Sequence, residues 1–206
     1  MAVMGRPRTF DRDTAIEQAM NIFWQNGYES TSLAQLKAGI GKGISAPSFY
    51  AAFGSKEALF QECVQRYLAT YAQVTEPLWD TRLAPREAIE TALRSSARMQ
   101  CEPGHPSGCM VGLGVMSAPS QAPAEVTAPL TRSRARTRDG FRVCVQRAID
   151  SGELRADTDA QALATVFDAF LLGLSTLARD GVPHAALDLS ITQVLLAWDA
   201  STPTAD

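Results

Sequence analysis

Cys101, His105 and Cys109 stand in a C-x3-H-x3-C pattern within one loop, Cys101-Glu102-Pro103-Gly104-His105-Pro106-Ser107-Gly108-Cys109. Thiolate and imidazole both suit zinc, yet a structural zinc site takes four ligands and pairs its cysteines closely. His184 is the one other histidine and lies far along the chain, so no metal site is expected. Gly39-Ile40-Gly41-Lys42-Gly43 mimics a phosphate-cradling loop. It fails the G-x-x-x-x-G-K-[ST] pattern twice: Leu36 stands where the first glycine belongs, and Gly43 where the hydroxyl belongs. There is no nucleophile elbow, no metalloprotease helix motif and no base evidently paired with a nucleophile. Two histidines in the whole chain leave acid–base chemistry few players. The expectation is a protein that is not an enzyme and carries no cofactor.

The glycine run reads better as punctuation between helices. Ser30 to Phe60 looks like two short helices around a tight turn, then the start of a longer helix. Leu33 and Leu36 give the first an apolar edge. Gly39, Gly41 and Gly43 break it, because glycine is costly inside a helix and easy in a turn. Ser45 is a good N-cap, and Pro47 just inside the next helix lacks only an amide that would be unpaired there anyway. Gly54 ends that helix; Ser55 caps another, with Lys56 and Glu57 in its first turn. Helix, turn, helix with a small-residue start to the second helix is a DNA-reading unit whose second helix enters the major groove. Upstream, Asp11 can cap a helix to about Asn26, closed by Gly27. Its stripe Ile16, Ala19, Met20 and Phe23 falls at helical spacing. Leu33, Leu36, Ile44, Phe49 and Phe53 are its partners in a three-helix core, and Trp24 and Tyr28 are read as packing residues. Arg6-Pro7-Arg8 is either a basic arm along phosphates or in the minor groove, or a solvated tail.

Gly27-Tyr28, Thr31-Ser32-Leu33 and Phe49-Tyr50-Ala51-Ala52-Phe53-Gly54-Ser55-Lys56-Glu57-Ala58-Leu59 resemble the N-terminal domain of TetR-type transcriptional repressors. The Tyr-x-x-Phe-x-x-Lys-Glu run is the most specific part. The segment Thr31 to Tyr50 is longer than the family's usual spacing, and the surplus falls in the glycine-rich turn. The resemblance implies an all-α homodimer with a DNA-binding domain over residues 1–54 and a ligand-binding and dimerisation domain over residues 55–206. It implies a palindromic double-stranded operator and a small-molecule inducer. On this pattern Tyr50, Lys56 and Thr31 contact phosphates. Ser45, Ala46 and Ser48 face the groove, and Phe49 and the arm residues Arg6 and Arg8 complete the DNA-binding set.

Bulk composition neither helps nor forbids this. The chain has 206 residues, 46% hydrophobic and 20% charged, an ordinary globular balance. Net charge is −3. Residues 1–60 carry six Lys/Arg against five acids, so +1 sits there and −4 in the rest. DNA binding must therefore rest on where the cations sit. No apolar run follows the charges of MAVMGRPRTF, which predicts no export signal and a cytoplasmic protein. Ala169 to Ala178 is interrupted by Gly173, Ser175 and Thr176 and is too short to span a bilayer. Four irregularly spaced cysteines are then expected as reduced thiols.

After the DNA-reading unit, one helix is expected from Ser55 to about Pro77, linking the two modules through Leu59, Phe60, Cys63, Tyr67, Leu68, Tyr71 and Val74. Others are expected from Pro85 to about Gln100, Met110 to Ser117, about Ala124 to Ser151, to about Arg179 after an Asp157-Thr158-Asp159 cap, and Ala185 to Trp198. The arginines at 132, 134, 136, 138, 142 and 147 scatter around their helix and read as a solvated face. The last two helices are too apolar for one side of a small bundle. Leu163, Phe170, Leu174, Leu177, Ile191, Leu195 and Trp198 are the expected dimer contacts, against the alternative that they cover the protomer's own core. Trp79, Met99, Cys109, Met116, Phe141 and Phe167 are the expected ligand-binding set. Ser107-Gly108-Cys109-Met110-Val111 resembles a Gly-Cys-Leu-like segment in one family branch, which implies a thiol sensor beside the ligand cavity. A thiol at a helix start feels the positive end of the dipole, which favours thiolate. The plain alternative is a small buried residue that lets helices pack. A zinc-based sensor, or a helical carrier or enzyme with a vestigial DNA module, are the remaining rivals.

Overall fold

The computed structural model describes residues 11–41, 43–116 and 124–203. The described chain is helical: α1 (Arg12–Asn26), α2 (Leu33–Gly39), α3 (Ala46–Phe53), α4 (Lys56–Ala69), a 3-10 helix (Tyr71–Trp79), α5 (Pro85–Cys101), α6 (Met110–Met116), α7 (Ala124–Asp150), α8 (Ala160–Arg179) and α9 (His184–Asp199). No strand occurs among the described residues. Side chains with acceptor oxygens set most of the early starts. The Asp11 carboxylate accepts from the Asp13 and Thr14 amides. Ser32 and Gln35 form a reciprocal capping box at 3.1 and 2.7 Å. The hydroxyls of Ser45 and Ser55 accept from the Ser48 and Ala58 amides at 3.2 and 3.0 Å. Each cap satisfies an amide that has no partner inside its helix, worth about 1 kcal/mol.

The turn between α2 and α3 depends on two glycines with left-handed backbone, Gly41 at φ 62° and Gly43 at φ 94°. A side chain at either would be strained. The Gly41 amide donates to Gln18 Oε1 at 2.6 Å, and the Ile44 amide to the Lys37 carbonyl at 2.9 Å. The turn is thereby tied to α1. Around it Phe23, Leu36, Ile40, Phe49 and Phe53 are buried together with Leu59 and Phe60 of α4. Arg12–Glu62 and Asp13–Arg66, each at 2.6 Å, brace α1 against α4 on the surface.

The expected single helix from Ser55 to Pro77 is two elements. Thr70 leaves helical geometry at φ −123° and ψ −87°. Its hydroxyl donates to the Arg66 carbonyl at 2.8 Å, and Gln73 Nε2 donates to the Leu68 carbonyl at 2.7 Å. Side chains thus take up carbonyls a continuing helix would have used. Pro77 adds that it has no amide to donate and would crowd the carbonyl four residues back. The chain continues as a tighter 3-10 helix.

Helices α5, α7, α8 and α9 bury a second core of Ile89, Leu93, Phe141, Val145, Phe167, Leu174, Leu187, Ile191 and Trp198. Phe141 and Phe167 stack at 6.1 Å, and Phe167 meets Trp198 at 6.4 Å. The 20-residue α8, with mean hydropathy 1.5, is by length and composition apolar enough to cross a bilayer, which the interruptions at 173–176 had been expected to prevent. Here one face of it is core, and Asp168 on it pairs with Arg138 at 2.9 Å.

Candidate nucleic-acid interface and ligand cavity

α3 is amphipathic in a functional sense. Phe49 and Phe53 turn inward, 0% and 4% exposed, with rings 5.4 Å apart. Ser45, Ser48 and Tyr50 face outward, Tyr50 with 51% of its surface open. Ala46 is partly covered. The Ser45 and Ser48 hydroxyls lie 2.9 Å apart, held at the helix start by the cap. Lys56, expected as a phosphate contact, is half-buried with Nζ 4.3 Å from the centre of the Tyr28 ring. That burial moves its pKa down from the ordinary lysine value, with Glu29 opposing.

Two expected DNA contacts are corrected. Phe49 is wholly in the core and has no surface to offer. Thr31 is also fully buried, and its hydroxyl donates to the Gly27 carbonyl at 2.7 Å, so it closes the turn between α1 and α2. Arg6 and Arg8 lie outside the described residues.

A cavity of about 50 Å³ opens among the 3-10 helix, α5, α6, α7 and α8. Met99 and Cys109 line it as expected; Trp79, Phe141 and Phe167 do not. Trp79 is on the surface with the Arg136 guanidinium 4.9 Å over its ring. Phe141 and Phe167 are spent on the second core. The Met116 side chain lies outside the described residues. The polar lining was not anticipated: Tyr67, Ser96, Gln100, Arg134 and Asp168 all face the cavity. Ser96 and Gln100 sit four apart on one face of α5, and that interruption of an otherwise apolar stripe was the available signal.

Cys109 caps α6. Its Sγ accepts from the Tyr67 hydroxyl at 3.3 Å and from the Gly112 amide at 3.4 Å. Burial holds the Tyr67 hydroxyl protonated well above the ordinary tyrosine range. Two other thiols are more deeply buried. Cys63 is buried and pushed up, and burial pushes Cys144 up to about 11. His105 joins no metal cluster. It stacks on Trp24 at 4.6 Å, and among the described residues no three potential ligands gather.

Trp24 is the joint between the two halves. Its ring meets Tyr67 and Tyr71 at 4.9 and 5.1 Å, and its Nε1 donates to the Gly108 carbonyl at 3.1 Å. Arg179, at the end of α8, donates to the Ser107, Gln25 and Trp24 carbonyls at 2.9, 3.0 and 2.9 Å. The last turn of α1 and the loop leading to Cys109 are therefore held by the same two side chains.

Leu163, Leu174, Ile191, Leu195 and Trp198, expected at a dimer contact, are buried within the protomer. The two helices are apolar on both sides, and the periodic stripe marked the inner one. Phe170 is half-buried and Leu177 exposed. With Leu177, the outer faces carry Val166, Leu189 and Leu196, between 42% and 70% exposed. Gly173 stands among them, and a Cβ there would meet nothing within 4 Å.

Comparison with known proteins bears on both ends of the molecule. Residues 15–63 match the model of the bacterial regulatory proteins of the tetR family, and residues 85–192 match the tetracyclin repressor-like C-terminal domain. The chain is 33% identical over 197 residues to the HTH-type transcriptional repressor ComR of Escherichia coli K12, covering 94% of this chain and 91% of that one. It is 38% identical over 121 residues to the repressor BdcR of the same organism, covering 58% of this chain and 60% of that one. Among solved structures, a cysteine mutant of the regulator CifR, complexed with 26-bp double-strand operator DNA, aligns with a TM-score of 0.81 at 38% identity, covering 94% of this chain and 100% of that one.

Proposed function

We propose a mechanism from one premise: this chain belongs to the TetR family of bacterial regulatory proteins. It is an all-α, DNA-binding transcriptional regulator, a repressor type and not an enzyme. Members act as dimers on double-stranded operator DNA under the control of small ligands. For this chain we assign residues 1–54 to DNA binding and residues 55–206 to ligand binding and dimerisation, with α4 packing into both. The working compartment is the cytoplasm.

The observation that carries the DNA reading is the split of α3 into a buried aromatic edge and an open edge of Ser45, Ser48 and Tyr50. Two such helices, one from each protomer, would sit one turn of a palindromic operator apart, ~34–36 Å. Tyr50 and Lys56 take phosphates, which position the protein; Ala46 and Ser48 meet base edges, which specify the sequence. The outer face of α8 and α9 supplies the two-fold contact: Val166, Leu177, Leu189 and Leu196 are apolar and open in the protomer, Phe170 beside them is half-buried, and Gly173 permits close approach. The inducer occupies the cavity beside Cys109. It acts through the 101–109 loop, which Trp24 and Arg179 bind to the end of α1. A ligand that prefers one setting of that joint shifts the spacing of the reading heads.

The test is a gel shift with the DNA upstream of the protein's own gene, competed by random DNA. A single retarded species with a palindromic footprint supports the reading; equal competition by random DNA refutes it. A thiol-sensor version rests on the Cys109 Sγ atom facing the cavity under two donors. Operator release by a quinone that Cys109→Ser abolishes would support it, and unchanged release by that variant would leave a non-covalent inducer.

A further inference from the structure

The reading helix α3 is held unevenly along its length. Its two buried side chains, Phe49 and Phe53, stand one turn apart on a single edge, toward the middle and the C-terminal end. None of Ser45, Ala46, Pro47 and Ser48 at the other end is buried. Yet that is the end assigned to base edges, and its placement falls to the turn before it. In that turn the Gly43 amide donates to the Ile40 carbonyl at 3.0 Å and the Ile44 amide to the Lys37 carbonyl at 2.9 Å. Both bonds stay between α2 and the turn itself. The Ile44 side chain is half-buried against the first core, but an apolar contact has no preferred direction. The Gly41 amide reaches further. It donates at 2.6 Å to Gln18 Oε1 on α1, 23 residues upstream.

We propose that Gln18 is a positioning residue for operator reading: through the Gly41 amide it sets the angle at which the N-terminal end of α3 meets the groove. This rests on the regulator reading above. The lever has a fixed base, since α1 is braced on α4 by Arg12–Glu62 and Asp13–Arg66. Gln18 is half-buried on α1, beside the buried Ala15 and Ala19. A backbone N–H can be received only by the carboxamide oxygen, so the side chain has one orientation here. Such a bond is directional, which the packing of Ile44 is not. Gly41 meets it with a left-handed φ of 62°, and a Cβ there would touch nothing within 4 Å. The glycine is therefore needed for its backbone and not for space. Side chains that read base edges must be held to within about 0.5 Å, so the loss of one such bond is felt in specificity.

The test is fluorescence anisotropy of the full-length protein on the upstream DNA of the gel shift and on random DNA, over a salt series, with hydrogen exchange at the Gly41 amide. Gln18→Met keeps the length of the side chain and removes the strong acceptor; Gln18→Glu keeps an acceptor. In Gln18→Met the ratio of operator to random affinity should fall about threefold to tenfold, the worth of one neutral hydrogen bond. Random-DNA affinity, salt slope and melting should stay near wild type, and Gly41 should lose protection. Gln18→Glu should weaken both DNAs alike through its charge, while keeping the affinity ratio and the Gly41 protection. A wild-type ratio in Gln18→Met overturns the proposal. So does an equal loss on both DNAs or a shared fall in melting, which would make Gln18 a plain structural brace, or a ratio that falls as far in Gln18→Glu as in Gln18→Met. A wild type with no operator specificity rejects the regulator reading; specificity that Gln18→Met leaves untouched rejects only the role of Gln18.

Discussion

Arg179→Ala should loosen the joint between the DNA-reading and ligand-binding halves. The guanidinium donates to three backbone carbonyls within 3.0 Å, two of them in the last turn of α1. Those two belong to the set of helix-end carbonyls with no partner inside the helix. A hydrogen bond to a charged group contributes about 1.5–3 kcal/mol net. Water replaces part of this at a partly open site, and three bonds from one group do not add, so about 2–4 kcal/mol is expected. Desolvation already disfavours the charge here, since burial lowers the Arg179 pKa from its ordinary value. At about 2–4 °C per kcal/mol for a chain of this size, melting should fall by roughly 4–16 °C. Arg179→Lys can keep one bond and should recover only part of the loss. The assay is urea denaturation combined with hydrogen exchange of the amides at the end of α1 and in the 101–109 loop, where protection should fall selectively. Trp24→Phe removes the bond to the Gly108 carbonyl on the same loop. Arg179→Ala and Trp24→Phe should couple by about 0.5–3 kcal/mol in a double-mutant cycle. Strict additivity, or a stability change below about 0.5 kcal/mol with no local loss of protection, would refute the view that these two side chains form one latch.

Lys56→Ala should weaken operator and random DNA alike and flatten the salt dependence by about 0.9 in slope, because a phosphate contact carries no sequence information; an unchanged slope removes Lys56 from the interface. Tyr50→Phe should cost roughly 0.5–1.5 kcal/mol of operator affinity with melting unchanged, since its ring is open; a marked fall in melting would make it a packing residue. Val166→Glu with Leu177→Glu should yield folded monomers in light scattering and weak operator binding, because both residues are open in the protomer; a surviving dimer moves the contact elsewhere. Cys144, with its thiol pushed up to about 11, should have only about one thousandth of its population as thiolate at pH 8 and alkylate slowly, tenfold faster per pH unit until about 11. Mass mapping of native protein should therefore find Cys109 modified well before Cys63 and Cys144, and equal rates would return Cys109 to a plain packing role.

Local chemistry determined much of this molecule from the sequence. Ser32, Ser45, Ser55 and Asp159 start helices because each can accept from an amide two or three residues on, and Gly27, Gly41, Gly43 and Gly54 adopt a backbone other residues avoid. Those are contacts within a turn, so they can be read without knowing what lies across the chain. The Tyr-x-x-Phe-x-x-Lys-Glu run, by contrast, spoke only through its resemblance to the TetR family. Other features are decided only when distant segments meet. Phe49 looks equally apt for a groove or a core until Leu36, Phe53 and Leu59 surround it. α8 and α9 carry apolar residues on more than one face, so their composition does not say which of them are left open; the packing of α5 and α7 puts Leu174 and Ile191 inside and leaves Val166 and Leu189 outside. The linking helix breaks at Thr70 where Tyr71 turns onto Trp24 and His105, partners more than thirty residues away in each direction. The cavity is the extreme case. Ser96, Arg134 and Asp168 come from three helices and Cys109 from the turn before a fourth, and no spacing along one chain records that they line one cavity.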